Sequence, residues 1–170
     1  MMKSITLFGF ACAFALTIPA TSLAQGPLPN QVPGYMKLGY VVPRAASLKS
    51  ATDAQGFSIT YGYPFAKSTS LEGYWSYLGG SQNLQTSTMM VVHRFTSKET
   101  PLYLGLGIGG AYLRFDDDFF VPEETFSIAG KVMIGLQIDQ SFIVEAEYMS
   151  AGRVAGLPTE QWSFSLGYRF

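Results

Sequence analysis

WSFSLGYRF, residues 162–170, alternates without a break. Trp162, Phe164, Leu166, Tyr168 and Phe170 are large and apolar, while Ser163, Ser165, Gly167 and Arg169 between them are small or charged. A period of two marks a strand with two unlike faces. A strand at a chain end ordinarily frays, so an aromatic at position 170 requires a neighbouring strand to hold it. The medium that meets the apolar face decides the fold class.

Working outward, seven more segments repeat the pattern. The eight predicted strands are residues 35–43, 54–65, 69–79, 85–96, 101–114, 124–138, 141–151 and 160–170. The second sets Phe57, Ile59, Tyr61, Tyr63 and Phe65 against Ser58, Thr60, Gly62 and Pro64. The sixth sets Phe126, Ile128, Val132, Ile134, Leu136 and Ile138 against Ser127, Lys131, Gly135 and Gln137. The seventh sets Phe142, Val144, Ala146 and Tyr148 against Glu145 and Glu147. In the fourth, Met89, Val91, His93 and Phe95 form the outer face by analogy with the last strand. Short connectors (66–68, 97–100, 139–140) alternate with longer ones (43–53, 116–123, 152–159), and residues 79–83 form a short one where a long one is expected.

Strands of about ten residues, short turns at one rim and longer loops at the other match a transmembrane β-barrel. A soluble sandwich would bury its apolar faces and wet its polar ones. Here the polar faces are mostly Gly and Ser with isolated charges, which suits a narrow lumen. Tyr63, Phe65, Phe95, Phe126, Tyr168 and Phe170 stand near strand ends, as in interfacial girdles. A closed barrel satisfies every backbone group in lipid, so the last strand must pair with the first. A secreted calyx-type carrier is the soluble alternative, and it would need an apolar interior.

The N-terminal stretch reads as a secretory signal peptide over residues 1–24. Lys3 supplies the charge, Ile5 to Ile18 the apolar run, and Ser22-Leu23-Ala24 the cleavage site, so the expected mature chain starts at Gln25. The apolar run continues past Cys12, the only cysteine, which argues against a lipoprotein site there. The expected mature chain therefore has no disulfide framework and no thiol nucleophile. Residues 25–34, rich in Pro and Gly, read as a periplasmic lead-in without regular structure, leaving 35–170 as one barrel domain. Formal net charge is −1 with no basic run, which argues against nucleic acid as a partner. No mature stretch reaches 18 consecutive apolar residues, as a spanning helix would need.

Together these features resemble the small eight-stranded outer-membrane barrels of the OmpA/OmpX type. The resemblance rests on the signal peptide, the eight amphipathic strands, the glycine-rich LYLGLGIGGAYLRF (102–115) and the terminal Tyr168-Arg169-Phe170. It implies an integral outer-membrane location in a Gram-negative envelope. It also implies contact with outer-membrane lipid and lipopolysaccharide, and an assembly signal at Tyr168 and Phe170 read by the outer-membrane assembly machinery.

Several residue sets are candidates for chemistry. Lys37, Glu72, Arg94, Lys131, Glu145, Glu147 and Arg169 fall on lumen faces, where charges must pair or meet water. Counting from turns sets Glu147 diagonal to Lys131 and Glu72 near Arg94, with Glu145 in reach of Arg169. An ion path is one reading; salt bridges filling an interior only wide enough for side chains is the other, and the expected one. GLGIGG (105–110) matches a dinucleotide fingerprint, but that site needs a helix to follow; here the glycines lie inside a strand. His93 is followed by Arg94-Phe95, lacks the serine that lipid A deacylases carry two residues on, and reads as an interfacial aromatic. Asp116, Asp117 and Asp118 beside Phe119 and Phe120, with Glu123 and Glu124, read as a solvated acidic loop. They lack the spacing of a calcium-binding loop, and the two phenylalanines are candidates for contact with a host or surface partner.

The expectation is an all-β, eight-stranded antiparallel up-and-down barrel with a filled lumen and no cofactor or metal. Its expected role is non-enzymatic: envelope structure, or surface interaction through the loops. A narrow pore for small solutes or ions is the main alternative, and a lipid-modifying enzyme a weaker one.

Overall fold

The computed structural model describes residues 34–52, 54–96, 99–117 and 121–170, with the side chain of Asp117 left aside. The expected signal peptide and most of the expected lead-in lie outside these residues. The strands are β1 (Tyr35–Pro43), β2 (Gly56–Ala66), β3 (Thr69–Leu78), β4 (Gln82–Thr96), β5 (Leu102–Asp117), β6 (Glu123–Gln137), β7 (Phe142–Ser150), a two-residue pair β8 (Arg153–Val154) and β9 (Leu157–Pro158), and β10 (Gln161–Arg169). Eight of them close in the order β1-β10-β7-β6-β5-β4-β3-β2, every neighbour antiparallel.

Closure is made by WSFSLGYRF, residues 162–170. β10 pairs with β1 from Tyr35↔Arg169 to Pro43↔Gln161, and with β7 from Gln161↔Met149 to Tyr168↔Phe142. The Phe170 N–H then donates to the Gly34 carbonyl at 2.9 Å. With a neighbour on both sides, β10 has no edge left open for the medium to satisfy.

The side-chain distribution is inverted relative to a soluble protein. Leu106 is 53% exposed and Ile108 66%, whereas Lys37 is 1% exposed and Glu72 fully buried. Exposed Leu38, Ile59, Val91, Leu104, Ile134 and Leu166 continue the outer band. Two aromatic belts bound it. At the loop end, ring pairs form between Phe57 and Trp75 (5.3 Å between centroids), Tyr112 and Phe126 (5.0 Å), and Tyr148 and Trp162 (5.0 Å). At the turn end, Phe142 meets Tyr168 (5.4 Å) and Tyr61 stacks on Phe170 (6.2 Å). Amphipathic rings favour a boundary between hydrocarbon and water.

The connectors depart from the sequence reading at four places. The first long loop carries a short helix, α1 (Ala46–Ala51), whose buried residue is Leu48. Six residues cannot hold a helix alone; burial of Leu48 and the Thr52 N–H on the Leu48 carbonyl (3.0 Å) close it. The last long loop holds the β8–β9 hairpin, turned by Ala155 (φ 50°) and Gly156 (φ 72°). Positive φ at both central residues is the type I′ geometry that matches strand twist. β4 starts at Gln82, leaving only Gly79–Ser81 between β3 and β4, and β5 runs on through Asp117.

Candidate functional site

Inward-facing residues of β1, β3, β4, β5, β6 and β7 converge on a buried charge cluster in the half of the lumen nearer the short turns. Lys37 on β1 forms ion pairs with Glu145 and Glu147 of β7 and lies 3.7 Å from Glu72 of β3. Lys131 on β6 pairs with Glu72 and stands 3.2 Å from Glu147. Arg94 on β4 reaches Glu72 at 2.5 Å and Glu145 at 3.4 Å. Three carboxylates and three cations thus share one space with no net charge.

Strand register explains the grouping. Met133 is opposite Glu147 and Lys131 opposite Met149, so Lys131 and Glu147 are diagonal neighbours on one face. Glu72 faces Met90 across the β3–β4 pair, and Arg94 lies four residues further along, within the span of its long side chain. Lys37 meets both glutamates of β7 by reaching across β10, where Gly167 is its direct partner. A Cβ at Gly167 would stand 2.7 Å from Lys37 Cγ, so a glycine there lets the lysine lie down.

Two tyrosines complete the cluster. Tyr35 Oη donates to Glu72 Oε1 and Tyr103 Oη to Glu145 Oε1, each at 2.5 Å. Arg94 donates to the Tyr35 hydroxyl (2.8 Å) and to Ser70 Oγ (2.8 Å), and its guanidinium stands 4.7 Å from the Tyr35 ring centroid. Each tyrosine ring lies over a glycine of the next strand. Tyr35 is paired with Gly62 and Tyr103 with Gly135, and a Cβ on either glycine would overlap the ring. The sequence reading missed both tyrosines. Parity was the available signal, since Tyr35 stands two residues before Lys37 and Tyr103 two before Gly105.

All six carboxylate oxygens of Glu72, Glu145 and Glu147 have a cation or hydroxyl partner. The chemistry this arrangement supports is mutual neutralisation. It brings the strands together from both sides of the lumen, as buried charges require.

Arg169 does not join the cluster. Glu145 is opposite Ser165, while Arg169 is four residues further along β10, opposite Tyr35 at the rim. Four extended residues span about 13 Å, too far for the ion pair that adjacency of the two strands suggested. The acidic set is also redistributed. Asp116 and Asp117 belong to β5 and not to a loop, opposite Asn83 and Gln82. Asp116 accepts from Arg114 Nε at 3.1 Å, Glu124 stands 3.7 Å from Arg114, and Glu123 accepts from the Ala155 N–H at 2.8 Å. Asp118, Phe119 and Phe120 lie outside the described residues.

His93 points outward beside Phe95 (4.8 Å between rings), with its Nδ1 3.0 Å from Thr69 Oγ1. GLGIGG lies wholly within β5, paired on both sides. Tyr168 packs on Phe142 in the turn-end belt, and Phe170 on Tyr61.

No protein-family model matches the chain, and no curated protein matches its sequence. Solved structures do. Neisserial surface protein A superposes with a TM-score of 0.58 at 17% identity, over 80% of this chain and 95% of that one. Ail, the attachment invasion locus protein of Yersinia pestis, gives 0.55 at 18% identity, over 82% and 99%. The N-terminal β-barrel domain of Pseudomonas aeruginosa OprF gives 0.58 at 13% identity, over 80% and 97%. The chain therefore has the fold of the small eight-stranded outer-membrane β-barrels.

Proposed function

We propose that this protein is a non-enzymatic integral barrel of the outer membrane, with a closed lumen and a loop end that faces outward for envelope structure or surface contact. The observation that carries this reading is the inversion of faces: an exposed apolar band between two aromatic belts, around a neutral buried charge cluster. A band of that kind costs free energy in water and gains it in hydrocarbon. The loop end gathers α1 and the β8–β9 hairpin and is the outward end, because barrels of this kind keep short turns on the periplasmic side. Residues 1–24 serve as the export signal and 25–34 as the lead-in.

Surface contact is the finer part of the proposal. One similar structure is the attachment invasion locus protein itself, and another is that protein in complex with the heparin analogue sucrose octasulfate. By analogy, the partner here is a surface molecule met by the loop end, alongside lipopolysaccharide at the outer belt. The narrow-pore alternative requires a wet path past Lys37, Glu72 and Glu145, and all three are buried and paired.

Two measurements test the proposal. The mature chain should begin at Gln25, fractionate with outer membranes and resist carbonate extraction; recovery as a soluble periplasmic protein would reject it. Planar bilayers containing the purified barrel should carry no large, stable current, and a persistent open channel would replace the closed lumen with the pore.

A further inference from the structure

Two of the loops do not stand free of the barrel. Leu48 of α1 is fully buried, and Val154 of β8 is 1% exposed. Both belong to one apolar cluster with Val41, Leu78, Leu84 and Leu113. Those four are the inward-facing residues near the loop ends of β1, β3, β4 and β5. α1 packs on β9, and β8 packs on β6 and β5, so the helix and the hairpin lean on one another across the opening. The type I′ turn at Ala155-Gly156, and the Thr159 N–H on the Gly152 carbonyl (3.1 Å), give the hairpin its own rigidity.

Beneath this apolar layer, between β10 and β3, the lumen holds uncharged polar side chains. Gln161 of β10 reaches across to β3, donating to the Tyr74 hydroxyl (2.9 Å) and to Ser76 Oγ (3.2 Å). Tyr74 and Ser76 are opposite Thr88 and Thr86 of β4. The Thr86 and Thr88 hydroxyls and Gln161 Oε1 have no hydrogen-bond partner among the described residues. Below them comes the charge cluster. Met90, Val92 and Met133 of the same apolar cluster lie among these charges, so the lumen is filled from mouth to turn end, with no charged side chain in the layer around Leu48 and Val154.

We propose that α1 and the β8–β9 hairpin form a two-part hydrophobic stopper, with Leu48 and Val154 as its plugs, that seals the loop-end mouth over the polar layer. This rests on the closed-lumen reading and names the device that closes the outward side. A layer of apolar side chains excludes water and small polar solutes from the hydroxyls below. Closure is a local equilibrium of two loops, which can open without unfolding the strands. The charge cluster acts independently as the barrier at the other end.

Thiol accessibility tests the seal. Thr86→Cys, in a chain carrying Cys12→Ser, places a single thiol just below the stopper. The full chain is processed, purified as the folded barrel and exposed to a small charged methanethiosulfonate reagent, with the heat-dependent gel shift as the check on folding. The Thr86→Cys thiol should react slowly. Adding Leu48→Ser and Val154→Ser should speed the reaction by roughly tenfold to a hundredfold, the change in opening that losing buried side chains of this size brings. Leu48→Met, which keeps the apolar contact, should leave it slow. Should the double serine variant lose its gel shift, the single Leu48→Ala and Val154→Ala variants are read in the same way. A fast thiol with the stopper intact overturns the proposal, as does an unchanged slow rate in a folded stopper variant. Neither result touches the outer-membrane location, which fractionation decides separately.

Discussion

Removing Lys131 and Glu147 separately and together probes the lumen cluster most sharply. Lys131→Met leaves three carboxylates with two cations, since Lys37 and Arg94 remain. Glu147→Met leaves Glu72 and Glu145 with three cations. Each single change strands a buried unit charge, and breaking a buried pair in this way costs about 3–5 kcal/mol. The double change differs in kind. Lys37, Arg94, Glu72 and Glu145 remain as a closed ring of four contacts: Lys37 with Glu145 and, at 3.7 Å, Glu72; Arg94 with Glu72 at 2.5 Å and Glu145 at 3.4 Å. Every surviving charge keeps partners of the other sign, and two methionines fill volume of similar size. The double variant should therefore lose well under the sum of the singles, with a coupling of about 1–3 kcal/mol. Urea unfolding in detergent or lipid, followed by fluorescence of Trp75 and Trp162, measures all four species. Additive losses within experimental error would refute the argument that the cluster acts as one neutral unit.

Three further outcomes follow from the same geometry. Gly135→Ala places a methyl group into the Tyr103 ring and should cost about 1–3 kcal/mol of unfolding free energy, while Gly110→Ala, which meets nothing within 4 Å, should be near neutral in the same assay. Leu106→Arg puts a charge on the outer band and should destabilise the barrel in a bilayer by about 2–4 kcal/mol; an unchanged midpoint would mean that this face does not meet hydrocarbon. Lys37→Met removes the residue that bridges Glu72, Glu145 and Glu147 and should lower the urea midpoint more than Arg169→Met, which removes no described ion pair; equal effects would sink the hub role of Lys37.

The strands and their faces were legible in the sequence because period-two alternation is a local property that survives without knowledge of neighbours. WSFSLGYRF implied both a strand and the need for a partner, and that partner is β1. Strand ends were less sharp. β4 and β5 each run about three residues further toward the loops than their apolar pattern indicates, because paired backbone carries them on past the alternating segment. Local reading also found the diagonal Lys131–Glu147 pairing, since one tight turn sets that register.

What lay beyond the sequence is everything that depends on distance across the lumen. Adjacency of strands put Glu145 and Arg169 on neighbouring elements, but only the register of β7 on β10 sets Arg169 four positions beyond Ser165, the residue opposite Glu145. Lys37 is more than a hundred residues from Glu145 and Glu147 in the chain, and it meets them because closure sets β1 beside β10 and β10 beside β7. The placement of Tyr35 over Gly62 and of Leu48 and Val154 in the barrel mouth likewise needs the closed barrel. Alternation determines which face each side chain takes; only the circumference and stagger of the closed sheet decide which inward side chains touch, because those set the height of each residue along the axis.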